Sequence, residues 1–190
     1  DKVKERLTAL WNFDKMSTPF KKGKLFFSFR NNGLQNQSVL YSQASLLDVP
    51  TLILDPNTLS KDGTTSLSGM DISKDGNYLA YGISKAGSDW VEIHVKNIHT
   101  KEDLKDVIKW VKFSGIAWKG NGFYYSRYDE PLGDKTFTQK NEFHKVYYHT
   151  IGKSQIEDEL IYEDKQHPDR NFSAQVTNDE NYLIIYGSET

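Results

Sequence analysis

The sequence predicts an all-β fold, a partial β-propeller of about three to four blades preceded by a short helix. Four segments share one pattern, in which a polar turn with Gly, Asp or Asn runs into an aromatic-rich strand. Their aligned positions, Leu25, Leu79, Phe123 and Leu183, are 54, 44 and 60 residues apart. Four-stranded propeller blades repeat every ~40–50 residues. Because the last repeat begins close to Thr190, we expect an incomplete propeller from a longer protein.

Composition supports β structure and argues against several partners. The 4 Trp, 11 Tyr and 10 Phe residues suit pleated, half-buried strands. The 24 basic and 26 acidic side chains are interspersed, so no charged block predicts binding to nucleic acid or to a membrane. No apolar run approaches the ~20 residues that span a bilayer. We therefore expect a soluble protein, and the pattern does not choose between cytoplasm and periplasm.

The elements follow from local periodicity and turn residues. Apolar residues at helical spacing predict an amphipathic helix over 2–12 that belongs to something other than the blades. Residues 24–30 and 38–43 predict a hairpin around an Asn-Asn-Gly turn, and 51–57 a further strand that stops at a turn. A three-strand meander is predicted next, at 70–73, 78–83 and 90–95. The remaining predicted strands are 111–113, 115–118, 122–128, 144–150 and 157–162.

The chain lacks the sequence patterns of cysteine, serine-hydrolase and metal sites. The chain contains no cysteine and no G-x-S-x-G, so thiolate chemistry and a serine nucleophile on a strand-to-helix turn are both excluded from it. The histidine pairs His94 with His99 and His144 with His149 point to opposite faces of a strand, so neither forms a ready chelate. We interpret the histidines as strand and loop surface and predict no metal and no cofactor.

The aromatic repeats have two interpretations. Clustered rings can form a platform on which sugars or single-stranded nucleic acid stack. Packing between blades is favoured, because the rings recur at the same place in each repeat. A polar stretch from Asp129 to Glu142 has a length that is usually functional or mobile.

Several of these segments resemble those of prolyl oligopeptidases, and the matches run from about Lys4 to the carboxyl end. They are residues 32–41, 54–57, 73–82, 87–90, 111–114 and 117–118. The resemblance implies a seven-bladed, non-WD propeller that caps an α/β-hydrolase domain and admits short peptides, which are cut after proline. Residues 1–13 resemble the end of the amino-terminal segment of that hydrolase domain, and 14–190 resemble the first part of the propeller.

The resemblance also implies roles for two residues. Phe113 matches a propeller phenylalanine that helps to line an outer apolar subsite for the peptide, with ordinary blade core as the alternative. Asp89 matches a carboxylate on the propeller side of the cavity that influences substrate electrostatics. The Ser-Asp-His triad is expected outside this chain, so the isolated chain should be inactive, and its open blades should favour self-association.

Two rival functions remain open from the residues themselves. One is a stand-alone propeller that binds a peptide or protein at its channel mouth. The other is a sugar- or lyase-type propeller enzyme with carboxylates in its channel. A G-x-S-x-G sequence downstream in the full gene would favour the peptidase interpretation, because only a serine peptidase requires it.

Overall fold

The computed structural model describes residues 1–131, 133 and 140–189. It begins with helix α1 (Lys2–Trp11), as predicted, and the Asp1 carboxylate caps the helix by accepting a hydrogen bond from the Val3 amide at 3.1 Å. No residue of α1 is buried against the described part of the chain. Its apolar side chains are exposed, namely Val3, Leu7, Leu10 and Trp11. The last residue of the helix contacts the first sheet, because the ammonium of Lys15, on the first strand, lies 4.4 Å from the centre of the Trp11 ring.

The first sheet is an antiparallel meander with four strand positions. It consists of β1 (Lys15–Met16), β2 (Phe20–Lys22), β3 (Leu25–Asn31), β4 (Val39–Gln43) and β5 (Thr51–Leu54). Both β1 and β2 pair with β3, so they form one edge strand that is interrupted around Pro19. The edge position tolerates this residue because proline has no amide hydrogen to donate to a neighbouring strand.

Two further four-stranded meanders and the start of a fourth sheet follow. The second contains β6 (Thr65–Ile72), β7 (Tyr78–Lys85), β8 (Val91–Asn97) and β9 (Asp103–Val111). The third contains β10 (Ala117–Lys119), β11 (Gly122–Arg127), β12 (Lys145–Thr150) and β13 (Glu159–Glu163). Among the described residues, one strand pairing, Val111 with Arg127, connects the edges of these two sheets. Strands β14 (Arg170–Val176) and β15 (Leu183–Glu189) form a separate hairpin.

The predicted three-strand meander is present as β6, β7 and β8, but β9 adds a fourth strand, of which the sequence predicted only the end at Val111. The buried positions of β9 include Asp106 as well as Ile108, whereas Val107 is exposed. A charged residue facing inward and an apolar one facing outward hide the alternation that identifies a half-buried strand. Strand β14 was likewise not predicted.

The repeat itself is confirmed, since its four aligned residues all lie on the second strand of a sheet. Leu25 is on β3, Leu79 on β7, Phe123 on β11 and Leu183 on β15. The turns that precede the first two of these strands contact each other, and the Gly23 amide donates to the Lys74 carbonyl at 2.9 Å. A Cβ on Gly23, whose φ is +55°, would lie 1.9 Å from the Asp75 carbonyl oxygen. Only glycine fits this contact between neighbouring sheets.

The hydrophobic cores lie between sheets, as blade packing requires. One core joins the first and second sheets and contains Phe27, Leu40, Ile53, Leu54, Ile72, Leu79, Tyr81, Ile83 and Ile98. The other joins the second and third and contains Ala80, Ile93, Val95, Ile108, Val111, Trp118, Phe123, Tyr125 and Tyr147. Burying each large side chain contributes about 1.5–3 kcal/mol. The predicted role of the recurring aromatic residues in packing between blades is thereby confirmed for Phe27, Phe123, Tyr125 and Tyr147.

The meander topology gives the array two distinct ends. Turns between the first and second strands of each sheet, and between the third and fourth, lie at one end, which we call the turn end. The connection end carries the turns between the second and third strands and the links from one sheet to the next. At the turn end, the first strands of all four sheets border a cavity of about 600 Å³, as expected for the channel of a propeller.

Candidate functional site

The two residues predicted to bind substrate both lie at the connection end. Asp89 is in the turn between β7 and β8, and Phe113 is in the link between β9 and β10. Their side chains are 76% and 60% exposed, respectively. Phe113 is therefore outside the blade core of the described residues, and its ring is accessible to a ligand from this end.

The backbone at Phe113 explains why its ring leaves the sheet. The sequence predicts a strand over 111–113, but β9 ends at Val111 and Phe113 has a φ of +53°. A bulky residue rarely adopts this left-handed conformation, which costs about 1–3 kcal/mol and persists only where the surroundings impose it. Trp110 has a φ of +61°, so two aromatic residues with left-handed backbone flank Val111 and Lys112.

Lys112 brings the two predicted residues together. Its ammonium nitrogen lies 3.4 Å from the Asp89 Oδ2 atom and 5.3 Å from the centre of the Phe113 ring. The same nitrogen is 5.4 Å from the ring centre of Trp90. The Lys112 side chain is only 13% exposed. One largely buried cation therefore contacts a carboxylate and two aromatic rings, which are the groups that stabilise a partly desolvated ammonium.

Aromatic side chains at the ends of three strands, β8, β9 and β11, pack around the Trp90 ring beside this cation. The ring of Trp90 makes edge contacts with Trp110, at a centroid distance of 5.7 Å, and with Tyr128, at 6.2 Å. Edge-to-face pairs at these distances add about 0.5–1.5 kcal/mol beyond the area they bury. The backbone of Tyr128 is tied to the same region, since its amide donates to the Trp110 carbonyl at 3.1 Å.

The backbone of Lys112 is held by a buried histidine. The Phe172 amide donates to Nδ1 of His144 at 2.9 Å, so the ring proton lies on Nε2, which donates to the Lys112 carbonyl at 2.9 Å. Burial lowers the pKa of His144 to about 4, although the bond to the Lys112 carbonyl opposes this shift. His144 is therefore neutral at physiological pH and joins the Phe113 link to the first strand of the fourth sheet.

The interpretation of the histidines as surface residues is wrong for two of the five. His144 and His149 are both 0% exposed. His149 Nδ1 lies 2.7 Å from Asp158 Oδ1, and its Nε2 lies 2.9 Å from Asp106 Oδ1. Burial lowers the pKa of His149, but the hydrogen bonds to Asp158 and Asp106 outweigh burial and raise that pKa above its ordinary value. The two carboxylates lie 9 and 43 residues from His149 in the sequence, and no local spacing indicates that they meet at its ring.

Three other expectations can be compared with the described residues only. Half of the Asp129–Glu142 stretch, residues 132 and 134–139, lies outside the described residues. Within the residues that the structure describes, no group of three His, Asp or Glu side chains could hold a metal ion. Within the same residues, no helix is both long and apolar enough to cross a bilayer.

Sequence reasoning missed Lys112 and His144 as part of the site. Lys112 was placed in a strand beside Phe113, where the two side chains would point to opposite faces of the sheet. The available signal was the density of aromatic residues at the ends of β8, β9 and β11, which the meander brings to one edge. Only with β9 assigned from Asp103 to Val111 does the meander place these aromatic residues at one edge.

The meandering four-stranded sheets, with their cores between sheets and a shared cavity at the turn end, define a segment of a β-propeller. A family model described as "Prolyl oligopeptidase, N-terminal beta-propeller domain" matches residues 1–190. The chain belongs to this family.

Relatives in the family are similar over nearly the whole chain. A prolyl endopeptidase from Elizabethkingia meningoseptica is 43% identical over 186 residues, which cover 97% of this chain and 26% of that protein. Prolyl oligopeptidase A from Galerina marginata is 42% identical over 191 residues, covering 85% of this chain and 26% of that protein. The chain thus spans about a quarter of the length of these relatives.

Solved structures agree with the fold. Prolyl oligopeptidase B from Galerina marginata, bound to a 25mer macrocyclization substrate, superposes with a TM-score of 0.91 at 31% identity over 99% of this chain and 29% of that one. A chain from a structural study of two prolyl endopeptidases gives a TM-score of 0.87 at 33% identity, with 99% and 26% covered. The predicted division at residue 13 stays a prediction, as do the roles of Phe113 and Asp89.

Proposed function

We propose that this chain is the first part of the propeller of a serine endopeptidase that cleaves short peptides after proline. The supporting observation is the similarity to prolyl endopeptidases over 97% of the chain, at 43% identity. A serine hydrolase also needs a nucleophile, a base and an oxyanion site, and the chain contains no G-x-S-x-G from which to build them. The proposed contribution of this region is therefore substrate access and recognition, and the isolated chain has no peptidase activity.

Helix α1 and the fourth sheet suggest where the rest of the parent protein lies. The apolar side of α1 is exposed, and so are Tyr182 and Tyr186 on the β15 hairpin. In the parent, residues 1–13 belong to the hydrolase domain, which covers the helix, and a completed fourth blade covers the hairpin. Without these neighbours the exposed strand edges favour self-association of the isolated chain.

The connection end is the proposed peptide-facing surface. Phe113 supplies an exposed apolar ring for a substrate residue upstream of proline, and Asp89 supplies a carboxylate beside it. Because Asp89 is mostly exposed and paired with Lys112, its field is partly neutralised and partly screened by solvent. Asp89→Asn should therefore change kcat/KM only modestly, with a larger change at low ionic strength than at high ionic strength.

The decisive experiment uses the full-length protein and two substrates. Phe113→Ala should lower kcat/KM by roughly 5- to 150-fold for a peptide with a large apolar group at the position that reaches the ring. A dipeptide-like substrate that ends short of the ring should be nearly unaffected. Phe143→Ala is the matched control, because Phe143 is an exposed phenylalanine that also has a positive φ, +59°.

Four outcomes would contradict the proposal. The peptidase assignment fails if the full-length protein does not cleave after proline. The subsite assignment fails if Phe113→Ala affects both substrates equally, or if Phe143→Ala has the same effect. Cleavage by the purified isolated chain that is sensitive to a serine-reactive phosphonate would show that the nucleophile lies within these residues.

A further inference from the structure

The ammonium of Lys112 at the connection end is held by contacts with a second segment of the chain. It belongs to the link between the second and third sheets, yet it reaches the turn between β7 and β8, where Asp89 and Trp90 lie. A largely buried ammonium is costly unless opposite charge or ring faces surround it. The Asp89 carboxylate and the rings of Trp90 and Phe113 provide that surrounding, all within 5.4 Å of Nζ.

The main chain of Lys112 is also held by hydrogen bonds. Its carbonyl accepts the Nε2 proton of His144, and the other nitrogen of that ring accepts the Phe172 amide. The backbone is thus anchored to the fourth sheet while the side chain is anchored to the second. A residue held at both ends transmits its position to its neighbour Phe113.

We propose that Lys112 is a positioning residue for peptide recognition, whose ammonium holds the Phe113 ring and the Asp89 carboxylate in one fixed arrangement. The proposal rests on the function proposed above and adds a cause for the geometry of the predicted subsite. Lys112 contacts no reacting group. Its effect is on how well the peptide binds, and this effect requires Phe113.

The test uses the full-length protein and the uncharged variant Lys112→Met, which keeps a long apolar side chain. Losing the cation should raise KM about 5- to 30-fold for the peptide that reaches Phe113, with kcat within about twofold, because cation–π and partly buried ion-pair contacts are of that size. The short dipeptide-like substrate should not change. Lys112→Arg keeps the charge and should restore most of the loss.

Lys145→Met is the matched control for removing a largely buried, paired lysine near the same end. The Lys145 side chain is 15% exposed and its ammonium lies 2.6 Å from Asp129 Oδ2, a carboxylate that is not among the contacts of Lys112. Lys145→Met should leave the KM of both substrates unchanged. If Lys112→Met and Lys145→Met change KM equally, or if Lys112→Met affects both substrates alike, the proposal is overturned.

A double variant and a measurement without substrate complete the test. In a Phe113→Ala background, Lys112→Met should add less than about a twofold change in KM, because the two substitutions disrupt the same contact. Independent effects on KM would overturn the proposal.

Amide hydrogen exchange over 86–90 and 112–116 should accelerate in Lys112→Met and not in Lys145→Met, and unchanged exchange would also overturn the proposal. If exchange accelerates while Phe113→Ala leaves both substrates unaffected, the proposed subsite fails and Lys112 has no role in recognition.

Discussion

His144 and His149 stand at the two ends of β12, and both side chains are completely buried, yet they favour opposite charge states. His144 faces only neutral partners, the Lys112 carbonyl and the Phe172 amide, and burial lowers its pKa to about 4. His149 lies between the carboxylates of Asp106 and Asp158, and its pKa is raised although burial opposes this shift. Equal burial therefore does not determine the charge of a histidine, because its hydrogen-bonding partners decide whether the proton stays.

The two regions serve different connections in the array. The His149 cluster joins β9 of the second sheet to the third, and Asp106 also accepts the Gly152 amide at 2.6 Å, while Asp158 accepts the Tyr125 hydroxyl at 2.6 Å. The His144 contacts join the link after the second sheet to the fourth sheet. One connection is ionic and the other is made of neutral hydrogen bonds. The stability that each histidine contributes should therefore change in opposite directions with pH.

The largest effect is expected from His149→Leu. The substitution leaves two carboxylates buried beside each other without a cation, so the free energy of unfolding should fall by about 3–5 kcal/mol. Urea unfolding followed by tryptophan fluorescence at neutral pH measures this change.

The control removes the charges together. Adding Asp106→Asn and Asp158→Asn to His149→Leu should recover at least half of the loss, because amide oxygens still accept from Gly152 and Tyr125 without carrying charge. A loss below about 1 kcal/mol in His149→Leu would mean that the cluster is not ionic.

The second effect concerns acid and separates the two histidines. The unfolded His144 side chain takes up a proton near pH 6.5, whereas the folded one does so near pH 4. Folding stability from this residue is therefore present above pH 6.5 and lost as pH falls toward 4, by about 3 kcal/mol in all. His144→Gln lacks this titration, so its unfolding free energy should fall less than that of the parent between pH 7 and pH 4. Parallel pH profiles for the two proteins would contradict the prediction.

A smaller effect is expected from His144→Gln at pH 7. Glutamine offers both a donor and an acceptor, but it cannot place them at the separation of the two ring nitrogens, so the loss should be about 1–2 kcal/mol. Together with the acid effect, this predicts that the variant is less stable than the parent at pH 7 and more stable at pH 4. His99→Gln is the control, and as an exposed substitution it should change stability by less than about 0.5 kcal/mol.

The smallest perturbation is a test of the two histidine pKa values that requires no substitution. Titration of the imidazole signals by NMR should show His149 retaining its proton above pH 6.5, the ordinary value, and His144 titrating near pH 4. Stability from His149 is then present below pH 6.5 and lost as pH rises through its folded pKa. Closely similar titrations of the two side chains would remove the basis of the comparison.

Much of the fold could be predicted because the repeated unit is local. A Gly- or Asp-containing turn and the strand after it are specified by neighbouring residues, so β3, β7, β11 and β15 were all located near their true positions. Strand β9 was not, because Asp106 faces inward toward His149, a partner that is distant in sequence. The prediction thus missed both the buried ionic cluster and strand β9 for the same reason, the inward-facing Asp106.

The candidate site was only partly predictable for a related reason. Asp89 and Phe113 were identified by resemblance, but the strand predicted over 111–113 would have turned Lys112 away from Phe113. The left-handed backbone at Phe113 breaks the strand, and nothing in a bulky aromatic residue favours that conformation. Two contacts of Lys112 accompany it, the ammonium near the Phe113 ring and the bond from His144 to the Lys112 carbonyl.

The sequence by itself determined the repeat, the all-β class, the short amino-terminal helix and the absence of a serine nucleophile motif within these residues, since each depends on residue type or on short-range spacing. The tertiary structure alone decided which polar groups are buried, which histidine keeps a proton, and that Lys112 joins Asp89 to Phe113. These properties depend on contacts between different sheets, where desolvation and partner geometry set the energies. Residue patterns within one strand do not record which side chain of another sheet lies opposite.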